Sequence, residues 1–393
     1  MSDVRVVIVG GGVIGLFTAA ELLHLGVQNV TVLEERHPGA GSSGRSVGMV
    51  ETQYIERSAI EVRAFGLERF AALHRDHDLS MARIGYLRLA HDPADLVRLS
   101  ESVAIQAELG IRDSTVLAPS EIASRWPRIA VHDRAGGLFG PSDAYVDGYE
   151  VCTLLVRLVQ AAGGRVVSGA GLRDVESGLD GRVAVTAKGR FQADLIVNAA
   201  GGWAGNVGTL LGAPVPMRPQ LHGAVAIELD EPWRPLLPFV MDYVPGSRTD
   251  GIYFRSERPD QLIAGLHTDE AIHEAVPPDT PLGPVSHSVV ERITTLMAAR
   301  LTDCDGITVG RSWTGVYPMT EDNTPIVGFH PEASDVMCAL GAGGSGIQLS
   351  PAIARVAAET IVHGRSTAFS ADPGWSPDRL QVPSPQHDQE NDT

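Results

Sequence analysis

The sequence predicts an α/β fold in which a parallel sheet covered by helices is joined to a second, mainly antiparallel sheet with helices. Two observations indicate the first part: an apolar strand, a glycine-rich turn and a helix open the chain, and the same order returns near its C-terminus. A third observation indicates the second part, because residues 214–284 are rich in proline and contain short alternating segments typical of antiparallel strands.

The N-terminal element is a strand at 6–9, where consecutive β-branched residues indicate burial on both faces of a parallel sheet. A Gly-x-Gly-x-x-Gly turn follows, then a helix at 16–25 with apolar residues at helical spacing, then an apolar strand at 30–33 that ends in Glu34. This order predicts a Rossmann-like dinucleotide site. The alternative is a glycine-rich turn in a sheet that binds no nucleotide.

Each residue of this turn has a physical role. Gly10 permits the tight turn, Gly12 lets the backbone approach a pyrophosphate, and Gly15 lets the helix pack closely against the sheet. The helix N-terminus offers free N–H groups and a partial positive charge to the phosphates. Glu34, 19 residues after Gly15, is placed to accept hydrogen bonds from an adenosine ribose.

Residues 37–50 form a glycine- and serine-rich segment with Arg45 in its middle. The segment leaves the carboxyl end of the second strand, where such sheets bind ligands. We therefore expect its N–H groups and hydroxyls to wrap the same ligand. A flexible surface loop is the alternative.

Composition excludes several classes of protein. The 393 residues carry a net charge of −17, which argues against nucleic acid or an anionic membrane surface as a partner. No apolar run reaches the ~18 residues of a membrane span, and the first strand begins almost at once, so we expect a cytoplasmic chain without a signal peptide. Cys152, Cys304 and Cys338 are scattered, so we expect reduced thiols in the core and no metal site.

The remaining segments predict further alternating elements. Helices are expected at 60–74, 95–109, 151–162, 289–301 and 351–363, and strands at 85–90, 165–167, 183–187, 191–193, 195–199, 224–229, 251–255, 261–265 and 336–340. Residues 119–126 predict a helix capped at Ser120 or a turn that ends at Pro127, and residues 136–147 predict a loop. We expect a discontinuous nucleotide-binding domain at 1–85, 145–215 and 312–370, a substrate domain at 86–144 and 216–311, and a poorly packed tail at 371–393.

A second glycine cluster, at 341–346, follows an apolar strand and precedes a helix. It can bring another helix N-terminus to the same ligand, and its partial positive charge suits a flavin ring that becomes anionic at N1 on reduction. The alternative is a simple crossover turn.

Five motifs together resemble the D-amino-acid oxidase and sarcosine oxidase (DAO) superfamily of FAD-dependent amine oxidoreductases over nearly the whole chain. They are VVIVGGGVIG with Glu34, GSSGRS at 41–46, NAAGGW at 198–203, WTGVYPMTEDNTPIVG at 313–328 and GAGGSGIQLSPA at 341–352. The fourth motif is most similar to the sarcosine oxidase β-subunit branch, and the second to D-arginine-type amino-acid dehydrogenases. The resemblance implies a glutathione-reductase-type FAD-binding domain and oxidation of a C–N bond by hydride transfer to the flavin.

The resemblance also implies the residues that contact FAD. They are Gly10, Gly12, Val13, Ile14, Gly15, Glu34, Glu35, Arg36, Ser42, Ser43, Arg45, Ser46, Leu172, Ala200, Gly201, Trp203, Gly343, Gly344, Gly346, Ile347 and Gln348. Some relatives attach FAD through a cysteine or a histidine where this chain has Gly315 or Arg45, so we expect non-covalent FAD.

The candidate catalytic residues around the substrate are Arg45, His222, Tyr253, Arg255 and Tyr317, with Tyr54 and Tyr243 as further pocket candidates. The alternative is that these are strand-packing aromatics and a surface arginine. D-amino-acid-specific relatives carry an arginine at the position of Tyr317, so Arg45, Arg255 or Arg311 would have to supply the charge for a plain α-amino acid. The lysine that activates oxygen in some oxidases falls at about Ile263, and His267 and His273 are expected to be solvated.

Three functions remain open at this point. The first is an FAD-dependent oxidase or dehydrogenase that acts on a secondary amine, N-methyl amino acid, imino acid or amino acid, with oxygen or another electron acceptor. The second is a 2-hydroxy-acid or alcohol dehydrogenase on the same fold, which needs a histidine base, and only His222 is a candidate. The third is a non-catalytic flavoprotein subunit. A homo-oligomer or a partner subunit is compatible with each.

Overall fold

The computed structural model describes residues 3–178, 181–245, 250–268 and 274–380. Within these residues the helices are α1 Val13–His24, α2 Arg57–His77, α3 Pro93–Glu108, α4 Pro119–Arg125, α5 Gly148–Ala161, α6 Ala204–Leu210, α7 His287–Ala298 and α8 Gly346–His363. The strands are β1 Arg5–Val9, β2 Asn29–Glu34, β3 Met49–Val50, β4 Met81–Ala82, β5 Tyr86–Ala90, β6 Thr115–Leu117, β7 Gly136–Gly140, β8 Ala144–Val146, β9 Arg165–Ser168, β10 Leu172–Gly178, β11 Gly181–Thr186, β12 Gly189–Ala193, β13 Leu195–Asn198, β14 Met217–Leu229, β15 Phe239–Asp242, β16 Asp250–Arg258, β17 Gln261–Thr268, β18 Ile307–Thr320, β19 Ile326–His330 and β20 Ala333–Leu340.

A six-stranded sheet in the order β19-β20-β13-β1-β2-β9 carries both glycine turns. Its strands are parallel except for β19, which runs antiparallel to β20. Helices α1, α5 and α8 bury one face through residues such as Ile8, Leu16 and Ala354, and the three-stranded antiparallel sheet β10-β11-β12 covers the other face. Because β1 and β20 are parallel and separated only by β13, their carboxyl ends lie at the same edge.

A second sheet has eight strands in the order β18-β14-β17-β16-β15-β5-β7-β6. It is antiparallel, as the sequence predicts, except that β15 and β5 run parallel. One face buries Val225 and Phe254 against Ile293 of α7, while the other carries a row of aromatic rings that includes Tyr86, Phe239 and Tyr253. The edge strand β18 runs past the short 3-10 helices that follow β13 and β20, which brings the two sheets together.

Four expectations about the chain are wrong, the first being the cap at Ser120, because α4 begins at Pro119 with Ala118 as the residue before it. Residues 136–147 contain β7 and β8, and a Cβ at Gly137 would lie 2.8 Å from the carbonyl oxygen of Arg88, so this glycine serves close strand packing. Cys304 is exposed, although Cys152 and Cys338 are buried. Helix α8 begins at Gly346 and not at residue 351, so the last glycine of the cluster is also the first residue of the helix.

Part of the predicted tail is packed. Trp375 is buried and its carbonyl accepts a hydrogen bond from the Val327 N–H at 2.8 Å, while Arg379 forms an ion pair with Asp322 at 2.7 Å. Residues 381–393 lie outside the described residues.

Among the described helices, none combines the length and apolar character needed to cross a membrane. The predicted domain boundaries stay a prediction.

Candidate functional site

A cavity of about 400 Å³ lies where the two sheets meet. Gly10 and Gly12 of the first glycine turn line it, and so do Gly343, Gly344 and Gly346 of the second. Strands β14 and β18 of the eight-stranded sheet form another wall through His222, Gly315 and Tyr317. The parallel arrangement of β1 and β20 therefore delivers two helix N-termini, those of α1 and α8, to one cavity.

The first turn has the geometry of a cradle that side chains would fill. Gly10 has a φ of +116°, and a Cβ there would lie 2.8 Å from the carbonyl carbon of Ala199. Gly12 precedes α1, and the nearest atom to its Cβ position is Ser43 Oγ at 3.2 Å. Gly15 does not line the cavity. A Cβ there would overlap the Gly10 carbonyl and lie 3.3 Å from Ile8 Cγ2 on β1, which agrees with the predicted close packing of the helix against the sheet.

Glu34 ends β2 with its carboxylate fixed at the cavity wall. Oε2 accepts a hydrogen bond from the Gly11 N–H and Oε1 accepts one from the Arg36 N–H, both at 2.8 Å. Glu35 and Leu172 line the same part of the cavity. A carboxylate held in this way can accept hydrogen bonds from vicinal hydroxyls, so the residues present fit the adenosine end of a dinucleotide.

The serine-rich segment is tied to both walls. Ser43 lies in a short 3-10 helix and its Oγ accepts a hydrogen bond from the Val13 N–H at 3.0 Å, while Ser42 Oγ donates to the carbonyl of Val316 on β18. Ser46 Oγ accepts from the Gly48 N–H at 3.0 Å. All three serines line the cavity, so the segment bridges the cradle and the eight-stranded sheet.

Arg45 brings a positive charge to the end of the cavity formed by β14 and β18. Its Nε is buried and has no hydrogen-bond partner among the described residues. The Arg45 carbonyl accepts a hydrogen bond from Trp313 Nε1 at 3.0 Å, and a Cβ at Gly315 would lie 3.4 Å from Arg45 Cβ. Since Gly315 pairs directly with His222, the guanidinium group belongs to the same end as the predicted substrate residues.

That end is aromatic. The rings of His222 and Tyr317 stack with centroids 3.9 Å apart, and Tyr253 stacks on Phe239 at 5.3 Å. Burial raises the pKa of Tyr317 to about 12, and burial, assisted by the neighbouring Tyr317, raises the pKa of Tyr253 well above its usual range. Both phenols are therefore neutral hydrogen-bond donors at physiological pH.

Two further predicted site residues do not line the cavity. Arg255 is buried beside the cavity, where it forms an ion pair with Glu257 and lies 3.5 Å from the centre of the Tyr145 ring. Gln348 belongs to the second turn, but its Oε1 accepts a hydrogen bond from the Glu51 N–H at 3.3 Å, which holds the side chain away from the cavity. In both cases a partner that is remote in sequence, Tyr145 for Arg255 and Glu51 for Gln348, helps to fix the side-chain direction.

The other pocket candidates also pack outside the cavity lining. Tyr54 lies under the guanidinium of Arg63 at 3.4 Å, and Tyr243 packs edge-on against His267 at 4.6 Å, so His267 is half-buried rather than solvated. Ile263 is buried on β17, and His273 lies outside the described residues.

Sequence reasoning missed several residues that line the cavity. Asn206 on α6 and Asp279 in the proline-rich segment before α7 are the polar ones. Asn206 lies three residues beyond the NAAGGW motif and was not singled out, while the sequence around Asp279 offers no local signal of a site. The remaining predicted FAD residues all line the cavity: Val13, Ile14, Glu35, Arg36, Leu172, Ala200, Gly201, Trp203 and Ile347 join those described above.

A glycine cradle beside a ribose-binding acid, continuous with a space lined by neutral phenols and a guanidinium, defines an oxidoreductase that uses a bound dinucleotide. The family described as "FAD dependent oxidoreductase" (DAO) matches residues 5–360. The chain therefore belongs to the DAO family, and its cofactor is FAD.

Individual relatives share this architecture at low identity. Mitochondrial sarcosine dehydrogenase of Mus musculus is 27% identical over 93% of this chain, which spans only 40% of that relative. Glycine oxidase of Geobacillus kaustophilus is 26% identical, covering 94% of this chain and 95% of the relative. The crystal structure of L-proline dehydrogenase from P. horikoshii has a TM-score of 0.84 at 22% identity, covering 96% of this chain and 98% of that one.

Proposed function

We propose that this chain oxidises a C–N bond of a small secondary amine, N-methyl amino acid, imino acid or amino acid. The observation that carries the proposal is that one cavity joins the two glycine turns to the end that holds Arg45, Tyr253 and Tyr317. The names of the similar proteins support it, since sarcosine, glycine and L-proline are all small amines that carry a carboxylate.

The residues of the chain bind and orient the substrate in this proposal. Bound FAD supplies the hydride acceptor. The neutral phenols of Tyr253 and Tyr317 donate hydrogen bonds to a substrate carboxylate, and the Arg45 guanidinium supplies the opposite charge. The stacked rings exclude water and favour the amine in its uncharged form, so no strong base has to remove a proton before hydride leaves the carbon.

We further propose that FAD is bound without a covalent link. Gly315 faces the cavity, and none of the described residues that line the cavity is a cysteine. Acid precipitation should therefore release all the flavin into the supernatant, and flavin that stays with the protein pellet would contradict this. A cytoplasmic location remains part of the proposal.

One observation favours a second candidate. His222 lines the cavity and its Nε2 N–H donates to Gln220 Oε1 at 3.3 Å, so in this candidate function Nδ1 would accept the hydroxyl proton of a 2-hydroxy acid or alcohol.

Anaerobic bleaching of the visible flavin absorbance distinguishes these functions. We expect sarcosine, L-proline or a related amine to bleach the flavin, and lactate and glycolate to leave it oxidised. Bleaching by the hydroxy acids alone would favour the second candidate, and no bleaching by any amine would refute the proposal. Readmission of oxygen, and then of an artificial acceptor, separates an oxidase from a dehydrogenase.

A further inference from the structure

A proline-rich strap, residues 276–285, crosses from β17 towards α7 and is fastened to the eight-stranded sheet at both ends. The Val276 N–H donates to the carbonyl of Pro219 at 2.7 Å, and the Thr314 N–H donates to the carbonyl of Gly283 at 2.9 Å. The Val285 N–H adds a bond to Ser312 Oγ at 3.0 Å. These bonds fix the strap along β14 and β18 next to the cofactor cavity.

The middle of the strap reaches the opposite wall through one side chain. Asp279 Oδ1 accepts a hydrogen bond from Trp203 Nε1 at 2.7 Å. Both residues line the cavity, and Asp279 is also exposed to solvent, so the bond lies where the cavity opens to the surface. Trp203 follows β13 of the six-stranded sheet, and the bond therefore joins the two sheets across this opening.

The other side of the Trp203 indole lies over the nucleotide end of the cavity. The Arg36 guanidinium is 5.8 Å from the ring centroid, and the position of a Cβ on Gly41 is 3.9 Å from Trp203 Cζ3. Arg36 also donates to the carbonyl of Ala40 at 3.2 Å, so it is itself held in place. The indole thus spans from the segment beside Glu34 to the strap.

We propose that the Asp279–Trp203 hydrogen bond is a clamp that retains FAD, and that the bond must break before the cofactor enters or leaves. This inference rests on the FAD cofactor and not on the proposed substrate. A hydrogen bond to a carboxylate of this kind slows release by roughly ten-fold or more. Charge repulsion alone predicts that removing Asp279 slows the loss of FAD, because Asp279 and the pyrophosphate are both negative. The clamp predicts that the same change speeds the loss of FAD.

The test is the rate of FAD dissociation from the purified holoenzyme, followed by the rise in flavin fluorescence after dilution. Asp279→Ala removes the acceptor, and Trp203→Phe removes the indole N–H while keeping an aromatic ring. We expect each to release FAD about ten-fold faster, and the double variant to release it no faster than either single variant. Asp303→Ala, which removes an exposed carboxylate paired with Arg128, is the charge-matched control and should release FAD at the wild-type rate.

The proposal is overturned if Asp279→Ala releases FAD at the wild-type rate or more slowly, or if the two single effects multiply in the double variant. Near-ultraviolet circular dichroism of the FAD-saturated variants shows whether the fold is kept. Because no substrate is present, a failure here leaves the proposed amine oxidation untouched, and a failed bleaching assay leaves the clamp untouched.

Discussion

The Nε atom of Arg45 is a charged hydrogen-bond donor that has no acceptor among the described residues. A buried guanidinium nitrogen without a partner is costly, so the position suits a negative group that arrives with the cofactor or the substrate. Reduced flavin is such a group, because it carries negative charge near N1.

We expect Arg45→Gln to lower the reduction potential of bound FAD and to weaken sulfite addition to the flavin by roughly ten-fold, with Arg45→Lys close to wild type. Sulfite titration of the flavin absorbance measures this without any substrate. Wild-type sulfite affinity in Arg45→Gln would show that the guanidinium is remote from the flavin.

Gly265 determines where Tyr253 lies. A Cβ on Gly265 would overlap the Tyr253 hydroxyl and would lie 2.9 Å from its Cε1, so the ring rests on a bare backbone. Gly265→Ala should displace the phenol and raise KM for the amine found in the bleaching assay by about ten-fold, while FAD affinity is unchanged. Gly205→Ala on α6, where a Cβ meets nothing closer than 3.6 Å, should leave both quantities at wild type. An unchanged KM in Gly265→Ala would remove Tyr253 from the substrate site.

Residues whose role depends on local chain geometry could be predicted from sequence. Gly10, Gly12 and Glu34 are of this kind, since the strand–turn–helix that contains them also fixes their direction. The direction of the Arg255 side chain could not be predicted, because it depends on Tyr145 and on the Val47 carbonyl, which are more than a hundred residues away in the sequence. Asp279 was missed for the same reason, because only the tertiary fold brings it to Trp203.

At the scale of the element, a buried carboxylate on β15 ties that strand to three segments beside the eight-stranded sheet. Asp242 accepts hydrogen bonds from His91 and from two nitrogens of Arg134, and it lies 3.1 Å from Arg300 Nε. Burial opposes the charged form, but these donors and the two guanidinium charges lower the pKa of Asp242 to about 2.

The pKa of Asp242 is lower in the folded chain than in the unfolded chain, where it is near 4. The ionised carboxylate therefore stabilises the fold above about pH 4, and this stabilisation is lost as the pH falls through about 2. We expect Asp242→Asn to reduce the free energy of unfolding at pH 7 by about 2 kcal/mol or more. Urea unfolding at several pH values should show a decline between pH ~4 and ~2 in wild type that is smaller in the variant. Parallel declines in the two proteins would contradict this account of Asp242.

Element type followed the sequence pattern wherever periodicity was strong, as in α5 and β1. It failed for β7 because glycine gives no apolar signal, yet Gly137 is required for that strand to pack against β5. The parallel contact of β15 with β5 could not be predicted either, since strand order between segments more than a hundred residues apart leaves no local trace.

At the scale of the whole molecule, the account rests on two glycine turns, at opposite ends of the chain, that share one cofactor. Sheet order explains why they meet, because β13 alone separates β1 from β20. The sequence predicted that both turns reach the same ligand, but the walls formed by α6 and the strap became visible only in the folded chain.

Gly346 allows the most direct test of this central claim. It lines the cavity, and a Cβ there would lie 4.0 Å from Ala342 Cβ, so the protein has room for a Cβ, and we expect the methyl groups of a valine to meet the bound cofactor. The measurement is FAD titration of the apo form of Gly346→Val, with its thermal unfolding compared with that of wild-type apoprotein. The account predicts unchanged unfolding and a loss of FAD binding by at least a hundred-fold, roughly the effect of two lost hydrogen bonds. Wild-type FAD affinity in this variant would show that the second glycine turn does not contact the cofactor.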